Sequence, residues 1–206
     1  ITSVWLGEDS RIRRDRYSGV ERVPFNESGA FRADGAPSVA DHPLTGLPWA
    51  VWSFNEDGDY ELALAYFDGQ YWSSPMLIGS GPNGADDMEP KLAFTPDGRP
   101  LISWWRMSKD GSEQSVWLQS RAGGEWLEPI RISSTRREAR RPSLLLEDEK
   151  LIVAFETERG IEIRTYSLDA PALGGHEPAG GHDGPDPPTY DGTRPPECQL
   201  IGCFGD

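Results

Sequence analysis

The chain has 206 residues, with 34 acidic against 20 basic side chains and a formal net charge of −14. That length fits one domain, or one domain with an appendage, and the acidic balance argues against nucleic-acid binding, which relies on a basic surface. No apolar run approaches the roughly 18 residues of a membrane-spanning helix, and eight Trp, six Tyr and seven Phe supply an aromatic-rich core.

Internal self-similarity organises the sequence. Pro37, Pro90 and Pro142 open apolar segments 53 and 52 residues apart. Gly46-Leu47-Pro48 and Gly98-Arg99-Pro100 follow at a separation of 52 and lead into Trp49–Phe54 and Leu101–Trp105, with Leu151–Phe155 as the third copy. Trp52, Trp104 and Phe155 recur at 52 and 51. Tyr71-Trp72-x-x-Pro75-x-x-Ile78 matches Glu125-Trp126-x-x-Pro129-x-x-Ile132, shifted by 54. Val4-Trp5 aligns with Val51-Trp52 and makes the N-terminus a partial copy without its first strand, while the last copy lacks its fourth. The copies occupy about 1–30, 37–83, 90–135 and 142–168.

Each full copy reads as four short strands separated by turn signals, such as Pro96-Asp97-Gly98, Lys109-Asp110-Gly111 and Ala122-Gly123-Gly124. Alternation, as in Ser115–Ser120, together with Asp-Gly and Gly-Gly turns predicts antiparallel hairpins. No segment predicts a helix. Four antiparallel strands per period of about 50 residues is the pattern of a β-propeller blade. The expected fold is all-β and propeller-like: about 3.5 to 4 four-stranded blades of about 52 residues over 1–168, then an extended C-terminal arm over 169–206. Trp52, Trp104, Trp72 and Trp126 then fill the wedges between twisted sheets, the alternative being a ring of sugar-stacking Trp. Three, four, four and three strands total 14. Either a small four-bladed ring closes, or an open arc has its edges covered by something else.

Asp68-Gly69-Gln70-Tyr71-Trp72 and Ser120-Arg121-Ala122-Gly123-Gly124-Glu125-Trp126 resemble the Asp-box hairpins of sialidases (neuraminidases). The similarity runs through the following Pro-x-x-Ile strand and spans roughly residues 1–168. The family box is Ser-x-Asp-x-Gly-x-x-Trp; the first copy here lacks a spacer residue and the second lacks the Asp. Such boxes are turn scaffolds, so the resemblance implies a propeller fold rather than an activity. Sialidase catalysis takes three arginines, a Tyr nucleophile with its Glu partner and an acid/base Asp. Only Arg11-Ile12-Arg13 stands against the family's Arg-Ile-Pro segment, and no catalytic residue is carried over.

Two further patterns bear chemistry. Asn55, Asp57, Asp59 and Glu61 place oxygen ligands at alternate positions, as a calcium loop does. The competing reading is a solvated hairpin turn, since Asp-Gly suits positive φ; the matching turn Ser108–Ser112 carries a Lys and fewer carboxylates. Calcium is thus the one cofactor the sequence suggests. Two arginine clusters also stand out: Arg11, Arg13, Arg14 and Arg16, then Arg136, Arg137, Arg140 and Arg141. Arg makes bidentate pairs with carboxylate or phosphate and is favoured at interfaces. One copy earlier the equivalent connection carries Asp86, Asp87 and Glu89 instead, so the opposite-sign loops either dock different surfaces or pair with each other. His42, His176 and His182 form no metal pattern, and no Ser/His/Asp grouping, P-loop or dinucleotide fingerprint occurs.

From Ala170 onward Gly and Pro dominate, a composition that cannot bury enough apolar surface to fold alone. Ordering it requires a surface to lie along, with Tyr190, Leu200, Ile201 and Phe204 as anchors. Cys198 and Cys203 read as a small disulfide ring, and so as an oxidising, periplasmic or extracellular compartment. The chain opens on Ile1 with no signal-peptide pattern, which reads as processed, trimmed or partial. The expectation is a non-catalytic, exported accessory or scaffold subunit that docks onto other protein subunits of a larger complex through its arm and Arg-rich loops. A carbohydrate-binding, lectin-like propeller module is the alternative, and a degenerate glycoside hydrolase of sialidase type the third reading.

Overall fold

The computed structural model describes residues 35–170 other than 57 and 80–83, together with Leu173 and three strands at 2–6, 12–16 and 23–24. These form fifteen strands in four antiparallel sheets. The first sheet holds β1 (Thr2–Leu6), β2 (Ile12–Arg16) and β3 (Val23–Pro24); the second holds β4 (Ser38–Asp41), β5 (Pro48–Glu56), β6 (Asp59–Tyr66) and β7 (Met76–Ile78). The third holds β8 (Ala85–Phe94), β9 (Pro100–Ser108) and β10 (Gln114–Ala122), with β11 (Glu125–Trp126) and β12 (Ile130–Arg131) both on β10. The fourth is β13 (Ala139–Glu147), β14 (Lys150–Thr157) and β15 (Gly160–Ser167). One strand more than expected appears because the outer strand of the third sheet is interrupted between Leu127 and Pro129. Proline has no N–H to give to a ladder.

Local chemistry sets the turns. Gly123 (φ 58°) and Gly124 (φ 90°) close β10 onto β11 in a two-residue loop, where both residues need positive φ. In the earlier copy Asp68 does this work with its side chain: Oδ1 accepts from the Gln70 and Tyr71 N–H groups, both at 2.7 Å. Those two bonds hold the Asp68 carboxyl below its ordinary pKa. The landmark prolines have their own structural reason. Pro90 and Pro142 sit at register shifts in β8 and β13, each preceded by a residue with positive φ, Glu89 (50°) and Arg141 (52°). A bulge is where a strand admits a proline.

The sheets stack in chain order. β8 crosses β4, β5 and β6, and β13 crosses β8, β9 and β10. Trp104 points back onto Val51, Leu62 and Leu64, all fully buried. Phe155 points back in the same way onto Leu101, Val116 and Leu118. The third and fourth sheets thus each insert an aromatic knob into an aliphatic face of the sheet before it, which is the wedge filling expected of Trp104 and its counterpart Phe155. Trp52 and Trp104 expose no surface, which leaves no face for a sugar to stack on.

Candidate functional site

The densest charged cluster lies between the second and third sheets. Asp87 and Arg106 are direct ladder partners on β8 and β9. Arg106 grips Asp87 with both sides of its fork, Nε to Oδ1 at 2.7 Å and Nη2 to Oδ2 at 2.8 Å. Trp104, two residues before Arg106 and so on the same face, donates Nε1–H to Asp87 Oδ1 at 2.8 Å. Arg106 Nη2 also donates to the Gly79 carbonyl at 2.7 Å, while Gly79 N–H donates to Gln119 Oε1 at 3.0 Å. The guanidinium lies 4.7 Å from the Trp117 ring centroid. Both members of the pair are almost wholly buried. Burial pushes the Asp87 carboxyl up, with Arg106 pulling the other way.

Around this pair sits a half-buried collar. Lys109 Nζ lies 2.7 Å from Asp59 Oδ1 and 2.8 Å from Asp86 Oδ1, and donates to the Gly58 carbonyl at 2.7 Å. Asp86 Oδ1 also accepts from Tyr60 N–H at 3.1 Å. Glu61 faces Asp87 and Asp59, and its pKa is raised to about 7, first by burial and then by those two carboxylates. In the fourth sheet the ladder positions of Asp87 and Arg106 are held by Ala139 and Thr157. The pair therefore belongs to this one seam and is not a requirement of the repeat.

The described residues of the calcium pattern take part in these contacts. Asn55 Oδ1 accepts from Gly58 N–H at 3.0 Å and shapes its own turn. Asp59 faces Lys109, Glu61 turns toward Asp87, and Asp57 lies outside the described residues. Among the described residues no three His, Cys, Asp or Glu side chains gather as metal ligands would.

Among the described side chains, Arg140 and Arg141 do not pair with the acidic loop. Arg140 and Arg141 share Glu156, at 3.4 and 3.3 Å, and Asp86 and Asp87 take Lys109 and Arg106 instead. Arg136 and Arg137 line an open cleft of about 180 Å³ with Ser112, Gln114, Glu138 and Glu158. Arg131, at its wall, pairs with Glu113. Neither Arg136 nor Arg137 has an ion-pair partner among the described residues. Arg13, Arg14 and Arg16 are on β2, opposite Trp5, Val4 and Thr2. Arg11, Tyr190, Cys198, Leu200, Ile201, Cys203 and Phe204 lie outside the described residues. Of the arm, Leu173 is buried against the core between the third and fourth sheets. Arg99 Nη1 and Ser120 Oγ both donate to its carbonyl, at 2.8 and 3.1 Å.

A third feature was not anticipated. The outer face of the fourth sheet carries Leu145, Ile161 and Ile163, exposed at 58%, 68% and 63%. Ile152 and Ala154 lie between them on β14, paired with Leu145 and Ile163. The alternation Ile161, Ile163 was visible in the sequence, but only the stacking order reveals that no sheet follows it among the described residues.

No protein-family model matches the chain, and no curated protein does. By structure it is similar to a protein of unknown function from Dyadobacter fermentans (TM-score 0.54, 12% identity, 76% of this chain and 48% of that one). It is also similar to an α-L-arabinanase from Penicillium chrysogenum, solved with arabinobiose (TM-score 0.53, 15% identity, 76% of this chain and 54% of that one). The chain spans about half the length of each. At these identities the likeness concerns the fold, which is of propeller type. The sialidase resemblance of the hairpins holds at that level only, since the enzyme among these neighbours is an arabinanase.

Proposed function

We propose that the chain is a non-catalytic propeller-type module that docks onto other protein subunits and acts in an exported assembly. The observation that carries this reading is the exposed aliphatic face of Leu145, Ile161 and Ile163, bordered by the Glu156–Arg140–Arg141 group. Isolated surface leucines are ordinary, but a contiguous apolar sheet face marks an interaction surface. Arg136 and Arg137, which have no ion-pair partner among the described residues, supply a further polar contact at their cleft. The buried Asp87 is held by Arg106 and Trp104, which suits a structural post better than a catalytic acid.

The test is the native mass of the protein purified gently from its own source. The chain is expected to co-migrate with a larger species. The face variant Ile161→Glu/Ile163→Glu, the rim variant Arg136→Glu/Arg137→Glu, and a chain ending at Ala170 are expected to weaken that association. A monomer indifferent to all three changes would refute the reading.

A carbohydrate reading is favoured by one observation, Glu61 with a pKa near 7 beside two further carboxylates in a fold shared with an arabinanase. It predicts calorimetric binding of arabinobiose, or release of reducing sugar from arabinan, that is lost in Glu61→Gln. The docking reading predicts neither.

A further inference from the structure

The ladder registers give the seams between successive sheets matching positions. In the seam between the second and third sheets, Asp59 opens β6, Asp86 lies at the start of β8 and Lys109 lies in the turn between β9 and β10. Lys109 Nζ bridges the two carboxylates and caps the Gly58 carbonyl. Trp52 pairs with Ala63 and Trp104 with Trp117, which makes Glu113, opposite Ser108, the counterpart of Asp59. Asp87 pairs with Arg106 and Ala139 with Thr157, which makes Glu138 the counterpart of Asp86. The turn that answers the one carrying Lys109 joins β14 to β15 and carries Glu158. All three counterparts line the cleft of about 180 Å³ between the third and fourth sheets. Where the earlier seam is filled by an ammonium group, this one is open and holds a third carboxylate.

The cleft carries both signs of charge, and its own contacts use only part of them. Arg131 pairs with Glu113 and donates Nη2–H to the Ser134 carbonyl at 3.0 Å, and Gln114 Nε2 donates to Glu138 Oε2 at 3.1 Å. Glu158, like Arg136 and Arg137, has no ion-pair partner among the described residues. Gln114 Oε1 and Arg131 Nε are buried without a hydrogen-bond partner there, a condition that a folded chain rarely leaves unmet. A lone anion would gain Arg136 and Arg137 but meet Glu138 and Glu158, and a lone cation would meet the arginines; such like-charge contacts cost affinity. A sugar would find no ring to stack on, since no aromatic side chain lines the cleft. A molecule with an ammonium at one end and a carboxylate at the other satisfies both sets.

We infer that this cleft binds a small zwitterion of the α-amino acid class. Its ammonium is held by Glu158 and Glu138, in the place that Lys109 Nζ takes one seam earlier, and its carboxylate by Arg136 and Arg137. The planar fork of Arg suits a carboxylate, and charge-assisted hydrogen bonds at both ends fix the orientation of the ligand. A cleft of about 180 Å³ is smaller than the pockets of drug-sized ligands and suits a molecule of few heavy atoms. Such a site needs no protein partner and stands whether or not the chain docks onto other subunits.

The experiment follows the amide chemical shifts of the isotope-labelled full chain at constant ionic strength. Glycine and L-alanine are the probes with both charged groups; acetate and methylammonium each carry one, and inorganic phosphate and arabinobiose test the competing chemistries. Both amino acids are expected to give saturable shifts confined to the cleft residues, with acetate and methylammonium binding at least tenfold more weakly. Arg137→Gln and Glu158→Gln are each expected to weaken glycine binding at least tenfold, and Lys109→Met, in the other seam, to leave it unchanged. Glu158→Lys supplies the ammonium from the chain itself, as Lys109 does, and is expected to abolish glycine binding while the shifts outside the turn stay those of wild type. The inference is overturned if neither amino acid gives a saturable shift at the cleft, or if Glu158→Lys binds glycine as wild type does. Acetate or phosphate binding there as tightly as glycine would make the cleft an anion site, and arabinobiose shifting the same amides would make it a sugar site; either result also overturns it.

Discussion

Replacing Glu61 with Gln tests the electrostatics of the seam directly. The carboxyl is raised from 4.5 to about 7 by partial burial and by Asp87 and Asp59, against weaker opposing pulls from Arg106 and Lys109. A group whose pKa rises on folding binds its proton more tightly in the native state. Its contribution is then fully present below the unfolded value of 4.5 and is lost as pH climbs through about 7. A difference of about 2.5 units at about 1.4 kcal/mol each sets a ceiling of roughly 3.5 kcal/mol. Glu61 is in part solvent-accessible, and screening reduces this to about 1–2 kcal/mol. Gln copies the protonated form without titrating, so Glu61→Gln is expected to match wild type near pH 4, below the unfolded value, and to pull ahead from there. By pH 8 it should be the more stable protein by about 1–2 kcal/mol. Urea unfolding at half-unit steps of pH reads this out, with the slope m checked for constancy. Asp87 titrates in both proteins and largely cancels from the difference. Parallel stability profiles, or a Gln variant that is weaker at pH 8, would refute the reasoning.

Arg106→Met leaves Asp87 buried beside Trp104 without its cation and is expected to lower stability by about 3–5 kcal/mol; adding Asp87→Leu should recover most of that in the same denaturant titration. Gly79→Ala forces a side chain onto φ +74°, with its Cβ 3.2 Å from Leu62 Cδ1 and 3.4 Å from Asp87 Oδ2. A loss of about 1–3 kcal/mol with altered Trp emission is expected. Arg99 Nη1 holds the Leu173 carbonyl and Nη2 the Leu168 carbonyl at 3.3 Å. Arg99→Ala should therefore speed hydrogen exchange and proteolysis around residues 168–173 while leaving protection in β9 and β10 unchanged.

The architecture was legible because a propeller blade advertises itself several times over. Trp104 and Phe155 recur because each fills the same wedge, and Gly46 and Gly98 recur as turns because each needs positive φ. Even the proline landmarks had a physical cause in the bulges at Glu89-Pro90 and Arg141-Pro142. The site was less legible because its contacts run between copies. The spacing of Asn55, Asp59 and Glu61 suggested one cation-binding loop, but Asp59 is met by Lys109 of the following sheet and Glu61 by Asp87. No pattern within one repeat contains those partners. The same holds for the arginines: Arg140 and Arg141 turn to Glu156 across their own ladder, not to the acidic loop one copy earlier.

The exposed face makes the point from the opposite side. Leu62, Val116 and Ile161 are equivalent in ladder position and all three are apolar, so local pattern does not tell them apart. What separates the first two from the third is whether another sheet follows, which depends on the order of stacking and not on local preference. Burial of a strand face is thus set by its place among the described sheets and not by the residue's own preference. Further along the same strand the outward-facing positions are polar, Thr165 and Ser167. Branched aliphatics at the two positions that oppose a knob in the earlier sheets, with polar residues beside them, fit the docking surface proposed above.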